Sequence, residues 1–422
     1  MLTEFVVSKE IIGEVLDDKV PFAEAMKKRF IADKDLRPMR SVVGGLVGCA
    51  LRHVIYFDYM MKPLKDFEKD EKRYLLLVLS DIFFYRRFDR EEILKGLTEI
   101  IGEEKIQQAQ PIIDLAENPQ NYIPETVDRR SPLYLSLRFN APEWCVKIIN
   151  HFGGSVSYNT LKKFSRPART YLRVRTSVLG LPAAFENPDF SATETDKIVI
   201  YTGKNPLRKN ADYASGKMFP ERPLVRKLIT EHPVAETDQI LLLNTNGDTA
   251  IEKDLIEEYA DKVGLNIGVS NLDARGDVTR LIREKKSKSI NYFEPQDFGF
   301  LDAYISRPQK LVIVNPNSTN FDLAPTSPDY LLNFDTESMD GIIAGEKALL
   351  EGGSKCVDVG GTLISRVFTI SRKEGRSAVG EFLKAHPEFT LVEEKQHFPY
   401  DEYETAAYYA VLKKGEKELR SE

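Results

Sequence analysis

Residues 345–375 read GEKALLEGGSKCVDVGGTLISRVFTISRKEG, and this stretch decides the fold. Glu346 to Lys355 sets apolar and small residues at helical spacing, which predicts a helix. Gly360 and Gly361 predict a tight turn, because adjacent glycines tolerate positive φ and a close helix approach. Thr362 to Ile370 is apolar and β-branched and reads as a buried strand, followed by polar Ser371 to Gly375 and a second short helix over Ser377 to Lys384. A loop at the carboxyl end of such a strand is where α/β sheets hold their sites. On pattern alone the unit is one βα element of a doubly wound domain.

The same alternation extends upstream to about Gly216. Helices are expected over Leu224 to His232, Glu252 to Val263 and Val278 to Lys285, and strands over Gln239 to Leu243, Asn266 to Val269, Ser289 to Phe293 and Lys310 to Val314. The first strand runs into the loop Asn244-Thr245-Asn246-Gly247-Asp248, the fourth into NPNSTN. Phe389 to Pro399 and Ala406 to Lys414 read as a closing antiparallel pair. Short, continuously apolar strands separated by helices predict a mostly parallel sheet covered on both faces.

Residues 3 to about 117 read as helix throughout, a bundle of about six. Met39 to Met61 is expected as one long buried helix; its Arg52, His53 and Asp58 argue against a membrane span. Asn118 to Pro132, with three prolines, reads as a linker. Beyond it SPLYLSLRFN and PEWCVKIINHFG suggest two short helices with Trp144 packed between them. TYLRVRTS (170–177) alternates apolar and basic residues, so Arg173 and Arg175 are expected to face outward. With Lys162, Lys163, Arg166 and Arg169 they make six cations and no acid in fourteen residues, with Tyr158, Phe164 and Tyr171 nearby for stacking. Such a stripe suits RNA phosphates, and equally a solvated basic face.

A chain of 422 residues with 42% hydrophobic content can bury two or three cores. The net charge of −6 speaks against a nucleic-acid partner, but its distribution does not. Between His151 and Thr230 there are fourteen Lys and Arg against six Asp and Glu. Three scattered cysteines argue against disulfides and zinc, fit a reducing cytoplasm and, with five scattered histidines, give a metal centre little support. The amino terminus lacks the basic n-region of a signal peptide.

This order of parts resembles the bacterial ribosomal RNA cytosine-5 methyltransferases of the Sun/Fmu type, whose amino-terminal bundle is similar to the antitermination factor NusB. The opening stretch is similar, without a gap, to that family's helix, Gly-Gly turn, strand and Thr-Cys-Ser/Thr motif. KLVIVNPNSTN looks like the strand entering Asp-x-Pro-Cys-Ser-Gly, with Pro316 and Ser318 matching. QHFPYDEYETAAYYAVLKK is similar to the family's close, and TYLRVRTS to the segment before its small RNA-binding domain. The resemblance implies a NusB-like helical bundle over 1–125, a small basic α+β RNA-binding domain over 131–215 and a Rossmann-like S-adenosylmethionine-dependent methyltransferase domain over 216–416.

The resemblance also implies a chemistry. Cytosine C5 takes a methyl group only after a thiolate adds at C6, a second cysteine assists release, an aspartate orients the base, and the base must be unstacked. Here Phe368 stands at the nucleophile's place, Asn317 at the release cysteine's and Val314 at the aspartate's. The cofactor loop corresponds to Asn244, Thr245, Asn246, Gly247 and Asp248, the ribose-binding acid to Asn271, and Asp297 stands where the adenine side would be capped. The expectation is an RNA-binding member of this family, its partner RNA being ribosomal, with impaired catalysis. An active S-adenosylmethionine-dependent RNA methyltransferase, or a NusB-like regulator or scaffold without activity, stays open.

Overall fold

The computed structural model describes residues 2–115 and 123–416, which divide into two units. The expected linker over Asn118 to Pro132 falls in part on residues 116–122, outside the described residues.

The first unit takes residues 1–167 together with 323–335. Its amino-terminal part holds seven α-helices among the described residues, Thr3–Leu16, Phe22–Ala32, Arg40–Leu51, Val54–Met60, Lys69–Ser80, Arg90–Ile101 and Glu103–Leu115. Phe5, Ile12, Leu46, Phe57, Leu75, Leu79, Ile93 and Ile113 close a common core. The helix at Lys69 starts on a reciprocal cap between Glu68 and Glu71, which satisfies two otherwise orphaned amides. The long helix expected over Met39 to Met61 is two helices instead. At the break the imidazole of His53 donates from Nδ1 to the carbonyl of Cys49 (2.8 Å) that the helical ladder would have used, and the His53 amide falls back on Ala50. Pro132–Phe139 and Glu143–Asn150 form as expected, and Gly154–Phe164 is a further helix that the sequence reading left out. Trp144 lies against Phe334 of the returning 323–335 segment, with ring centroids 5.1 Å apart.

The second unit takes residues 168–322 and 336–422. Its small antiparallel sheet has the order β2-β3-β1-β4, from Phe190–Ala192, Ile198–Tyr201, Thr170–Val174 and Met218–Pro220, around Leu172, Val174, Phe190, Val199 and Met218. The large sheet has seven strands in the order β10-β11-β9-β8-β5-β6-β7. Gln239–Asn244 (β5), Gly264–Val269 (β6), Ile290–Phe293 (β7), Gln309–Asn315 (β8) and Val357–Val367 (β9) run parallel, while Phe389–His397 (β10) and Ala407–Lys414 (β11) close the edge antiparallel. Alternate residues of β5 face opposite cores. Ile240 and Leu242 meet the helices Pro223–Glu231, Ala250–Tyr259 and Gly276–Lys285; Leu241 and Leu243 meet Met339–Cys356 and Ala378–Ala385.

The opening stretch differs from its reading in one respect. The helix runs on to Cys356 and β9 begins at once at Val357, so Gly360 and Gly361 form a bulge inside the strand. Gly360 takes φ +71° there, which favours glycine. The close approach of helix to sheet is made about two turns earlier, where a Cβ on Gly353 would stand 2.6 Å from a Val314 methyl group of β8. Its neighbour Gly352 meets the loop after β7, where a Cβ would stand 2.0 Å from the carbonyl oxygen of Phe298.

Candidate functional site

The chain leaves β5 to build β6 and β7 on one side, then returns to build β8 and β9 on the other. The crevice of such a sheet opens at the carboxyl ends of the strands flanking that reversal, here β5 and β8. Both strands end in asparagine. Asn315 donates from Nδ2 to Oδ1 of Asn244 (2.7 Å), which also accepts the Asn246 amide (3.1 Å). Asn246 donates to Oδ1 of Asn320 (2.8 Å), and the amide of Asn317 donates to Oγ1 of Thr245 (2.9 Å). These carboxamides tie the two loops together.

Below the loop after β5 lies Glu252, fully buried, its carboxyl pushed up by burial and held down in part by Arg275. It accepts from Asn244 and from the hydroxyl of Tyr292 (2.8 Å) and pairs with Arg275 at 3.3 Å. The Arg275 guanidinium in turn donates to the carbonyls of Asn246 (2.6 Å) and Gly247 (3.0 Å), stapling the loop from beneath. Asp248 accepts the Ala250 amide at 3.0 Å, a local side-chain turn that leads the loop into the following helix. A Cβ on Gly247 would meet nothing within 4 Å, so the loop's outer face is open. Asn271 is exposed and accepts the Ala274 amide (3.1 Å); Asp297, also exposed, accepts that of Gly299 (2.6 Å).

At the ends of β8 and β9 the positions singled out in the sequence come together differently from one another. Phe368 is buried, and the guanidinium carbons of Arg222 and Arg366 each lie 4.5 Å from its ring centroid. Val314 faces the core beneath Met339–Cys356, where a Cβ on Gly353 would come within 2.6 Å of its methyl group. Asn317 stays at the surface of the crevice. Arg222 pairs with Asp248 (3.1 Å) and with Asp322. Asp322 is pushed up to about 6, by burial first, with Arg222 opposing and Asp248 adding to the rise. Arg366 is wholly buried, reaches Asn315 from Nε at 3.3 Å and is pushed down to about 10 by burial. Glu374 accepts from the Thr319 amide (2.7 Å) and from the hydroxyls of Thr319 and Thr369 (2.9 Å each), which fixes the loop that carries Phe368.

None of the three cysteines stands at the end of β8 or β9. Cys49 and Cys145 belong to the first unit, and Cys356 precedes β9 while Phe368 follows it, with the strand's eleven residues between. Burial raises all three thiols, Cys49 to about 12 and Cys356 to about 11, so none is a thiolate near neutral pH.

The basic stripe is shorter than expected. Lys162 and Arg166 are exposed, Lys163 is half-buried, and Arg169 is exposed beside Glu404 at 3.5 Å. Arg173 and Arg175 do not face outward. The outer face of β1 is covered by Ala250–Tyr259, where Arg173, 1% exposed, pairs with Asp254 (2.7 Å) and Arg175 with Glu257 (2.6 Å). Period-two alternation shows that these residues share a face, and does not say what covers it. Arg222 and Asp322 were missed for want of any signal; Glu374 had one, since it falls where the resembling family's motif continues to Glu-Asn, and Arg366 another, as a lone cation inside an apolar strand.

No family model matches the chain, and no curated protein matches it in sequence. Among solved structures it is similar to PH0851 at 14% identity and a TM-score of 0.75, over 98% of this chain and 99% of that one. It is similar to NSun6 from Pyrococcus horikoshii, solved with SFG, at 12% identity and a TM-score of 0.55, over 65% of this chain and 99% of that one. A methyltransferase homolog protein from Pyrococcus horikoshii gives 10% identity and a TM-score of 0.55, over 68% and 99%. The chain therefore has a Rossmann-like methyltransferase fold, joined to a helical unit.

Proposed function

We propose that this protein is an RNA-binding member of the ribosomal RNA cytosine-5 methyltransferase family, of the Sun/Fmu type, that has lost thiolate catalysis. One observation carries the reading. The nucleophile's position at the end of β9 holds Phe368, a ring that cannot add to a pyrimidine, packed with Arg222 and Arg366. Every cysteine of the chain lies elsewhere, with its thiol raised. Val314, turned into the core, cannot orient a base in an aspartate's place.

The residues present fit an adenosyl cofactor at the loop after β5. Its outer face is open at Gly247, and Asn271 and Asp297 stand exposed beside the crevice. The backbone of Asn244 to Asp248 would hold the amino-acid end, Asn271 the ribose hydroxyls through its uncharged amide, and Asp297 the adenine side. S-adenosylmethionine, when bound, supplies an electrophilic methyl group. What the chain lacks is the group that would activate cytosine to accept it.

Lys162, Lys163, Arg166 and Arg169 support RNA as the partner. The test is trapping with ribosomal RNA in which cytidine is replaced by 5-fluorocytidine, S-adenosylmethionine being present. The expected result is salt-dependent binding with no protein–RNA adduct surviving denaturation. A denaturation-resistant adduct would overturn the reading.

A further inference from the structure

We propose that the helical unit contains a nucleotide-binding pocket of its own, in which one base of single-stranded RNA stacks on Phe84 and its phosphates meet Arg129 and Arg138. This rests on RNA being the partner, and adds a contact within the helical unit to those of the basic stripe. The pocket encloses about 870 Å³, and Phe84, His53, Arg52, Arg129, Arg138 and Glu125 are among its lining residues. Three cations against one acid among these six suit an anion.

Phe84 lies in the π-turn Asp81–Tyr85, directly after Lys69–Ser80. Its ring stacks on His53 with centroids 3.6 Å apart and planes 5° from parallel, yet stays 40% exposed. A phenyl supported from below and open to solvent is a costly arrangement for a core residue and a suitable one for a base platform. His53 is anchored through Nδ1–H to the Cys49 carbonyl, and burial pushes it down to about 4, so the supporting ring is neutral. Arg138 donates to the hydroxyls of Tyr134 (2.8 Å) and Tyr158 (3.2 Å), two of its five N–H bonds, leaving donors for a phosphate. Arg129 is exposed. Ser165, also in the lining, caps the helix that carries Lys162 and Lys163, so positive charge continues along the chain from the pocket.

The test uses the full chain and a short fluorescein-labelled oligouridylate. Phe84→Ala is expected to weaken binding about tenfold, the loss of one base–aromatic stack. Arg129→Ala is expected to lower the salt dependence by about one phosphate contact. Phe84→Trp is expected to preserve affinity and to give a tryptophan emission that RNA quenches. Wild-type binding with no loss in Phe84→Ala or Arg129→Ala and no quenching in Phe84→Trp would overturn the pocket and leave the RNA-binding reading standing. No binding by the wild type would overturn both.

Discussion

Glu346 offers the sharpest test of the electrostatics beneath the candidate site. It belongs to the stretch that decides the fold, on the helix Met339–Cys356, yet it is 1% exposed and neither carboxyl oxygen has a hydrogen-bond partner. Burial, and after it the Glu374 carboxylate, pushes its pKa from 4.5 up to about 10. The folded protein therefore holds Glu346 protonated at neutral pH, whereas the unfolded chain ionises it. Stability from this group is fully present below pH 4.5 and is lost as the pH rises toward 10. At pH 7 the loss spans about 2.5 pH units, an ionisation cost of about 3 kcal/mol. Glu346→Gln keeps the shape and removes the ionisation, so it is expected to stabilise the unit by about 2–3 kcal/mol at pH 7 and by nearly nothing at pH 4.5. In thermal terms the gain at pH 7 is about 4–12 °C. The assay is paired urea or thermal unfolding of both proteins from pH 4.5 to 9, read as the difference between them so that other titrations cancel. A Gln variant that is less stable at pH 7, or a difference that does not grow with pH, would refute the reasoning.

Three further outcomes follow from the same structure. Arg173→Ala removes one of the two guanidinium partners of the buried Asp254 carboxylate, leaving Arg226 at 3.4 Å, and is expected to cost about 3 kcal/mol in chemical denaturation, where a surface cation would cost little. Gly352→Ala drives a Cβ against the Phe298 carbonyl and is expected to lower stability by about 1–3 kcal/mol, measured by the same titration. Asn271→Asp puts a charged acceptor at the proposed ribose position while keeping the hydrogen bond from the Ala274 amide, so calorimetry is expected to show about tenfold tighter S-adenosylmethionine binding, the strength of a charge-assisted hydrogen bond over a neutral one.

The large sheet was legible because its strands are short, apolar and bounded by turn residues: QILLL, KLVIV and the run from Thr362 carry their burial in their composition. Helix 90–101 likewise declares both its ends, with Asp89 as the cap accepting the Glu92 amide and Gly102 after the last turn. What escaped was tertiary. His53 breaks a continuous apolar helix by a side-chain hydrogen bond that periodicity cannot register. Arg173 alternates like a surface residue, but a helix from another part of the chain covers it and supplies Asp254. In the site, the asparagines after β5 and β8 could be picked out as loop residues, while their mutual hydrogen bonds depend on two strands 71 residues apart lying side by side. Arg222 and Asp322 meet across 100 residues, and nothing local marks either.

The most direct test of the central claim is methyl transfer itself: the full chain, ribosomal RNA and radiolabelled S-adenosylmethionine, with RNA retention and 5-methylcytosine measured on the same sample. With Phe368 and Asn317 at the positions we propose for the thiols, RNA is expected to be retained and no 5-methylcytosine to accumulate. Accumulation of 5-methylcytosine with time and enzyme concentration would contradict the account.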